Sequence, residues 1–114
     1  MSQRLQQAQA VADEYIDRLS DWAALTSRPL FGGVGIWRGG HVFAIAWQGE
    51  LYLKVDDHTR AEFESAGSQP LEYVSRGKTQ ALTSFWAIPA HVAEDDDRLT
   101  LWAERAWQAA ADAA

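Results

Sequence analysis

The chain has 114 residues, of which 47% are apolar and six are tryptophan; its net charge is −6 and it contains no cysteine. This length fits a single domain, residues 1–114, and the absence of cysteine excludes disulfides, thiolate metal sites and a cysteine nucleophile. The acidic balance disfavours direct nucleic-acid binding, because that binding draws most of its affinity from phosphates neutralised by Lys and Arg.

The first predicted element is an amphipathic helix over about residues 4–26, in which the larger apolar residues recur at helical spacing. Pro29 would end any continuation of this helix. The segment is too polar for a secretory signal or a membrane span. We therefore expect a cytoplasmic protein that does not contact a membrane.

Three strands are predicted next, at about residues 33–38, 41–47 and 51–55, because these segments are rich in β-branched and aromatic residues and are separated by glycine-containing turns. A short helix follows. Thr59 and Glu62 match a capping box at its start, and Gly67 would end it in a left-handed conformation.

Two further strands are predicted on either side of a hairpin turn at residues 75–78, and an acidic run precedes a last helix over about residues 96–111. The predicted order is therefore α-β(3)-α-β(2)-α. This order indicates an α+β fold, a two-layer sandwich in which an antiparallel five-stranded sheet has helices packed on it.

Five glycines crowd the segment LFGGVGIWRGG at residues 30–40, which raises the question of a phosphate-binding loop. Neither G-x-G-x-x-G before a helix nor G-x-x-x-x-G-K-[ST] is present. We therefore interpret the glycines as structural. Gly32 and Gly33 would lead the chain from the helix into the sheet, Gly35 would allow a bulge or a close contact, and residues 39–40 would form a hairpin.

No pattern of residues in the sequence indicates a catalytic site. Residues 56–58 are interpreted as a helix cap, and residues 95–97 as acidic residues at a helix start rather than a calcium loop. His41 and His91 have no carboxylate partner nearby in the sequence, and Ser84 lies in no nucleophile elbow. We predict no catalytic, cofactor-binding or metal-binding residue, and no cofactor.

Aromatic residues crowd the strands, and because side chains alternate, some must lie on each face of the sheet. Either one face is the core and helices cover the rest, or an aromatic patch stays exposed as a binding surface. Strict alternation places Phe43, Ile45 and Trp47 on one side of their strand, and in the fifth strand it places Leu82 with Trp86. Since both sides are apolar, a homodimer or a stable protein complex is expected.

The motifs LFGGVGIW, GHVFAIAWQGELYLKVDD, FESAGSQPLEY and FWAIP resemble the TfoX N-terminal domain family, from about Leu30 to Trp107. The resemblance implies a two-layer fold similar to that of type III secretion chaperones. The residues that match the two family motifs, which we interpret as fold-defining, are Phe31, Gly32, Gly33 and Gly35 in the first and Tyr52, Leu53, Lys54 and Asp56 in the second.

For function, the resemblance implies a regulatory domain. The founding members of the family regulate bacterial natural competence together with a cyclic-AMP-responsive transcription factor, and they carry a second, C-terminal domain. This chain ends at Ala114, so a stand-alone member without that domain is expected. The leading interpretation is a non-catalytic domain that acts through protein contacts, in transcriptional or competence-type regulation. The alternative is a module that binds or senses a small molecule in a pocket between the sheet and a helix.

Overall fold

The computed structural model describes residues 2–113, which form four helices and six strands. In chain order these are α1 (Gln3–Arg18), β1 (Thr26–Leu30), β2 (Gly33–Arg38), β3 (His41–Trp47), β4 (Glu50–Lys54), α2 (Arg60–Ser65), β5 (Pro70–Ser75), β6 (Lys78–Ala87), α3 (Ala90–Ala93) and α4 (Asp96–Ala113). All neighbouring strands are antiparallel, in the order β1-β2-β3-β4-β6-β5. The predicted α+β fold with an antiparallel sheet is confirmed.

The main hydrophobic core lies between the sheet and the two long helices. Helices α1 and α4 contribute alanines at their closest approach, so that the helix backbones can lie near the strands. The fully buried residues of this core include Ala8 and Ala12 from α1, Val34, Ile36, Ala44, Leu51 and Leu53 from the strands, and Leu99 and Ala103 from α4. We call this side of the sheet the helix face and the opposite side the outer face.

The first helix is shorter than predicted, and an additional strand forms in the segment that follows it. Helix α1 ends at Arg18 with Leu19 as its C-cap, and residues 26–30 pair with β2 at the edge of the sheet. Strand β1 contains Pro29, which has no N–H to donate and is therefore tolerated only at such an edge. Trp22, which continues the apolar stripe of the helix, packs on the core from the connecting segment instead.

The glycine pair at residues 32–33 lies in a hairpin turn between β1 and β2, not at the exit of a helix as expected. Phe31 and Gly32 have positive φ values, 56° and 83°, and a two-residue type I′ turn requires a positive φ at both of its central residues. Gly33 is needed for space, because a β-carbon there would lie 2.3 Å from the Ala46 carbonyl oxygen. The close approach expected at Gly35 is also present, because a β-carbon there would lie 2.6 Å from Cζ3 of Trp37.

A bulge changes the faces that strict alternation predicts for β3. Ile36 pairs with Ala44 but Trp37 pairs with Val42, so Phe43 is an extra residue without a partner in β2. Phe43 therefore joins the helix-face core, whereas Val42 belongs to the outer face. The prediction that Phe43 shares a side with Ile45 and Trp47 is wrong.

A larger break in register occurs where β5 pairs with β6. Pro70 pairs with Trp86, but the next residue, Leu71, pairs with Leu82, which leaves residues 83–85 of β6 unmatched in β5. As a result Leu82 packs with Phe85 on the outer face, while Trp86 packs on the helix-face core. The prediction that Leu82 lies with Trp86 is therefore also wrong.

The start of α2 is capped from outside the predicted capping box. Thr59 has helical dihedrals and its side chain forms no cap hydrogen bond. Instead, Asp56 Oδ1 accepts hydrogen bonds from the backbone N–H groups of His58, at 2.9 Å, and Thr59, at 2.7 Å. The bond from Thr59 is the main reason that the pKa of Asp56 is lowered from its ordinary value, against a smaller opposing effect of burial. Gly67, with φ of 77°, ends the helix as predicted.

Candidate binding site

The outer face carries a second, smaller apolar cluster. Ile45 from β3, Leu71 from β5 and Phe85 from β6 are buried there. Partly buried apolar side chains pack around them: Leu30, Val42, Trp47, Tyr52 and Leu82. Within residues 2–113 no helical residue belongs to this cluster, and the element that covers it comes from the sheet itself.

That element is the hairpin formed by residues 71–82, which we call the hairpin arm. In the sheet, β3 and β5 are separated by β4 and β6, yet Ile45 and Trp47 of β3 line the same cavity as Tyr73 and Val74 of β5. The two strands can share a cavity only if the arm folds back across the outer face. The break in register at residues 83–85 is the point at which β6 makes this bend.

Between the arm and the sheet lies a cavity of about 450 Å³, which we call the outer cavity. Ile45, Leu71 and Leu82 form its apolar interior. Its volume lies within the range of about 300–1,000 Å³ that small-molecule sites occupy. The fold therefore builds a pocket on the outer face, and Arg4 of helix α1 contributes to its lining. On the helix side, the structure shows a wide, shallow depression beside Trp102.

The rim of the outer cavity exposes large apolar side chains to solvent. Phe31 and Val74 are each 71% exposed and Tyr73 is 36% exposed, and all three line the cavity. Within residues 2–113, the fourth large hydrophobic residue that is comparably exposed is Leu101 on α4, at 56%. Exposed apolar surface is thus concentrated at this one rim, where a binding surface is its usual explanation.

Polar side chains also line the outer cavity. They are Arg4, from the first turn of α1, Gln48 and Ser75, and Arg4 is the only Asp, Glu, Lys or Arg in the lining. Among residues 2–113, no carboxylate lies within ion-pair distance of Arg4. The first turn of α1 contains no acidic residue either. The lining of the cavity therefore contributes one positive charge, although the protein is acidic.

Trp47 lines the outer cavity and also lies beside the β1–β2 turn. Its six-membered ring lies over the β1–β2 turn, since a β-carbon on Gly33 would lie 3.1 Å from Trp47 Cε3. Its indole N–H is buried and has no hydrogen-bond partner within residues 2–113. Unpaired buried donors are rare in folded proteins, and each one calls for an explanation.

The two family motifs occupy different places around this site. In the first motif, Phe31 lines the cavity rim and the glycines that follow it carry the turn beneath Trp47. In the second motif, Tyr52 packs in the outer cluster, where burial and the neighbouring Glu50 raise its pKa. The other members of the second motif have structural positions: Leu53 is in the helix-face core, Lys54 Nζ lies 5.4 Å from the centre of the Phe85 ring, and Asp56 caps the turn before α2.

The residues that titrate or bind metals do not converge in the same way. His41 and His91 each pack edge-on against a tryptophan, Trp107 and Trp102 respectively. In the part of the chain that the structure describes, no three His, Asp or Glu side chains form a group that could hold a metal ion.

Sequence reasoning missed a stacked cluster that joins three parts of the chain. The Arg38 guanidinium lies between the rings of Trp22 and Trp107, at 4.8 and 4.2 Å from their centres. Glu104 Oε2 accepts hydrogen bonds from Arg38, at 3.0 Å, and from the Trp22 indole N–H, at 2.9 Å. Trp22 precedes β1, Arg38 ends β2, and Glu104 and Trp107 belong to α4, so no local spacing in the sequence could have revealed the cluster. It fixes α4 against the end of β2 and contains no group free for chemistry.

Comparisons with known proteins bear on these motifs directly. Across residues 2–113, no helix combines the length and apolar character needed to cross a membrane. A comparison with curated proteins finds no match. The model of the family described as the TfoX N-terminal domain matches residues 17–110, from the last turn of α1 to most of α4. Because this match includes every strand and most of the 114 residues, the chain belongs to the TfoX N-terminal domain family.

Proposed function

We propose that this domain is non-catalytic and acts in the bacterial cytoplasm through contacts with other proteins, in transcriptional or competence-type regulation. Membership of the TfoX N-terminal domain family supports a regulatory role. The proposed contact surface is the exposed rim formed by Phe31, Tyr73 and Val74.

The exposure of this rim is the observation that carries the proposal. Aromatic side chains dominate the binding energy of protein interfaces, and Phe31 and Tyr73 present such side chains next to Val74. Their positions on a turn and on an outer strand leave them accessible to a second molecule. A second copy of the chain that uses the same rim would form a symmetric dimer, the commonest arrangement of soluble homo-oligomers.

Site-specific photo-crosslinking in cells tests the proposal without assuming the identity of the partner. A benzophenone amino acid replaces Val74 in one variant and Leu101 in a matched control, since both side chains are more than half exposed but lie on opposite layers of the fold. We expect adducts from position 74 that are absent from position 101. An adduct of twice the monomer mass indicates a homodimer, and an adduct with another protein identifies a partner.

Equal adduct patterns from the two positions would contradict the proposal, because Leu101 lies outside the rim. The same would follow if neither position 74 nor a further benzophenone variant at Phe31 gave an adduct. Circular dichroism of the purified variants establishes that each retains the fold.

A further inference from the structure

We infer that the outer cavity binds a small amphiphilic carboxylate, whose apolar chain lies between the hairpin arm and the sheet and whose carboxylate is held by Arg4. This inference does not depend on the proposed protein contacts, because it concerns the apolar interior of the cavity and Arg4 rather than the exposed rim.

The interior of the cavity fits an apolar chain. Its floor contains Ile45 and Leu71, which are 1% and 3% exposed and pack together with Phe85, so the floor is already a closed apolar surface. Leu82 adds a further apolar wall from the arm. Ligand sites of this size are lined mostly by apolar groups, with a small number of polar groups that fix the orientation of the ligand.

The charged group in the lining fits a ligand with a single negative charge. Arg4 is the only fully charged side chain in the lining, and within residues 2–113 no carboxylate neutralises it. It lies at the positive end of the α1 dipole, where a cation is unfavourable and an anion is stabilised. A guanidinium can bind a carboxylate through two parallel hydrogen bonds. Gln48 and Ser75 add neutral hydrogen-bonding groups to the lining.

The balance of these groups favours a monocarboxylate over a nucleotide or a polyphosphate. One arginine matches one charge, and neither phosphate-loop motif occurs in the chain. Trp47 lines the cavity, so its resonances also provide a local probe.

Isothermal titration of the full chain with sodium decanoate, below the concentration at which it forms micelles, tests the inference. Decyltrimethylammonium carries a comparable chain with the opposite charge, and acetate carries the carboxylate without the chain. We expect saturable binding of one decanoate per chain. Decyltrimethylammonium and acetate should each bind at least about tenfold more weakly, because the first lacks the carboxylate and the second lacks the apolar chain. In the NMR spectrum, decanoate should shift the Trp47 indole resonance and the amides of the hairpin arm.

Two arginine variants distinguish recognition of the carboxylate by Arg4 from an effect of the net charge of the protein. Arg4→Gln should weaken decanoate binding by about tenfold, because it removes a charge-assisted hydrogen bond. Arg98→Gln, an exposed residue on α4 that changes the net charge equally, should leave it unchanged. The inference is overturned if decanoate shows no saturable binding, if both variants bind it equally, or if the resonance shifts map to the helix layer. These titrations need no protein partner, so their failure would leave the crosslinking result unaffected, and the reverse also holds.

Discussion

At the scale of single residues, the two glycines of the first family motif are required for different physical reasons. Gly32 has a φ of 83°, which costs a residue with a side chain about 1 kcal/mol. Gly33 has no positive φ, but a β-carbon there would lie 2.3 Å from the carbonyl oxygen of Ala46 on the neighbouring strand. Backbone atoms cannot turn away as a flexible side chain can, so two strands would have to separate.

Alanine substitutions should therefore rank in a defined order. We expect Gly33→Ala to lower the free energy of unfolding by about 2 kcal/mol or more, as overpacking of a core does, and Gly32→Ala by about 1 kcal/mol. Gly40→Ala is the matched control within the same glycine-rich segment, because Gly40 has neither a positive φ nor any atom within 4 Å of a β-carbon. Urea denaturation measures all three. Equal losses at residues 33 and 40 would show that the close approach at Gly33 has no energetic consequence.

At the scale of elements, the hairpin arm and the main core are stabilised by separate sets of contacts. Leu71 is buried in the outer cluster, whereas most of the remaining β5 side chains are exposed. Leu53 is buried in the helix-face core, which the arm does not cover. The arm should therefore open without unfolding the rest of the sheet, as the less stable parts of a domain commonly do.

Hydrogen exchange of two leucine variants tests this independence. Leu53→Ala should lower the opening free energy of the β2–β4 amides by about 2–5 kcal/mol and so speed their exchange. The exchange of the arm amides should stay unchanged, because Leu53 stays buried when only the arm opens. Leu71→Ala should speed exchange in the arm. If Leu53→Ala accelerated the arm and β2–β4 equally, the arm would open only through global unfolding.

The elements also show where reasoning from the sequence succeeds and where it stops. The β2–β3, β3–β4 and β5–β6 hairpin turns and the last helix were predictable, because glycine positions and helical spacing are local signals. The β1–β2 turn at Phe31 and Gly32 was not predicted, because β1 itself was missed. Strand β1 was missed because its sequence, TSRPL, has little apolar periodicity and contains a proline that only an edge position tolerates. The bulge at Phe43 and the bend at residues 83–85 depend on how neighbouring strands pair, and those two irregularities decide which side chains line the outer cavity. The aromatic residues of the site were visible in the sequence, but their arrangement was not.

At the scale of the whole molecule, the charge distribution opposes binding to nucleic acid. The net charge is −6, and five of the ten cationic side chains are held in ion pairs: Arg18, Arg38, Arg60, Arg98 and Arg105. Arg28 and Lys54 lie over the aromatic rings of Trp37 and Phe85. The densest basic pair in the sequence, Arg76 and Lys78, lies at the tip of the hairpin arm.

We therefore expect the chain alone to bind duplex DNA no more tightly than about 100 µM at physiological salt, the weak end of non-specific binding, because it can neutralise few phosphates. Fluorescence anisotropy of a labelled duplex, titrated with the protein at several salt concentrations, measures this affinity. The double variant Arg76→Ala/Lys78→Ala is the informative comparison, since it removes the arm-tip charges without touching the core. Sub-micromolar binding that this variant abolished would contradict the prediction and would identify the arm tip as a DNA contact. If the wild type and the variant both bind only weakly, any action of this domain on transcription must pass through a protein or a small ligand, and the outer face provides a surface for each.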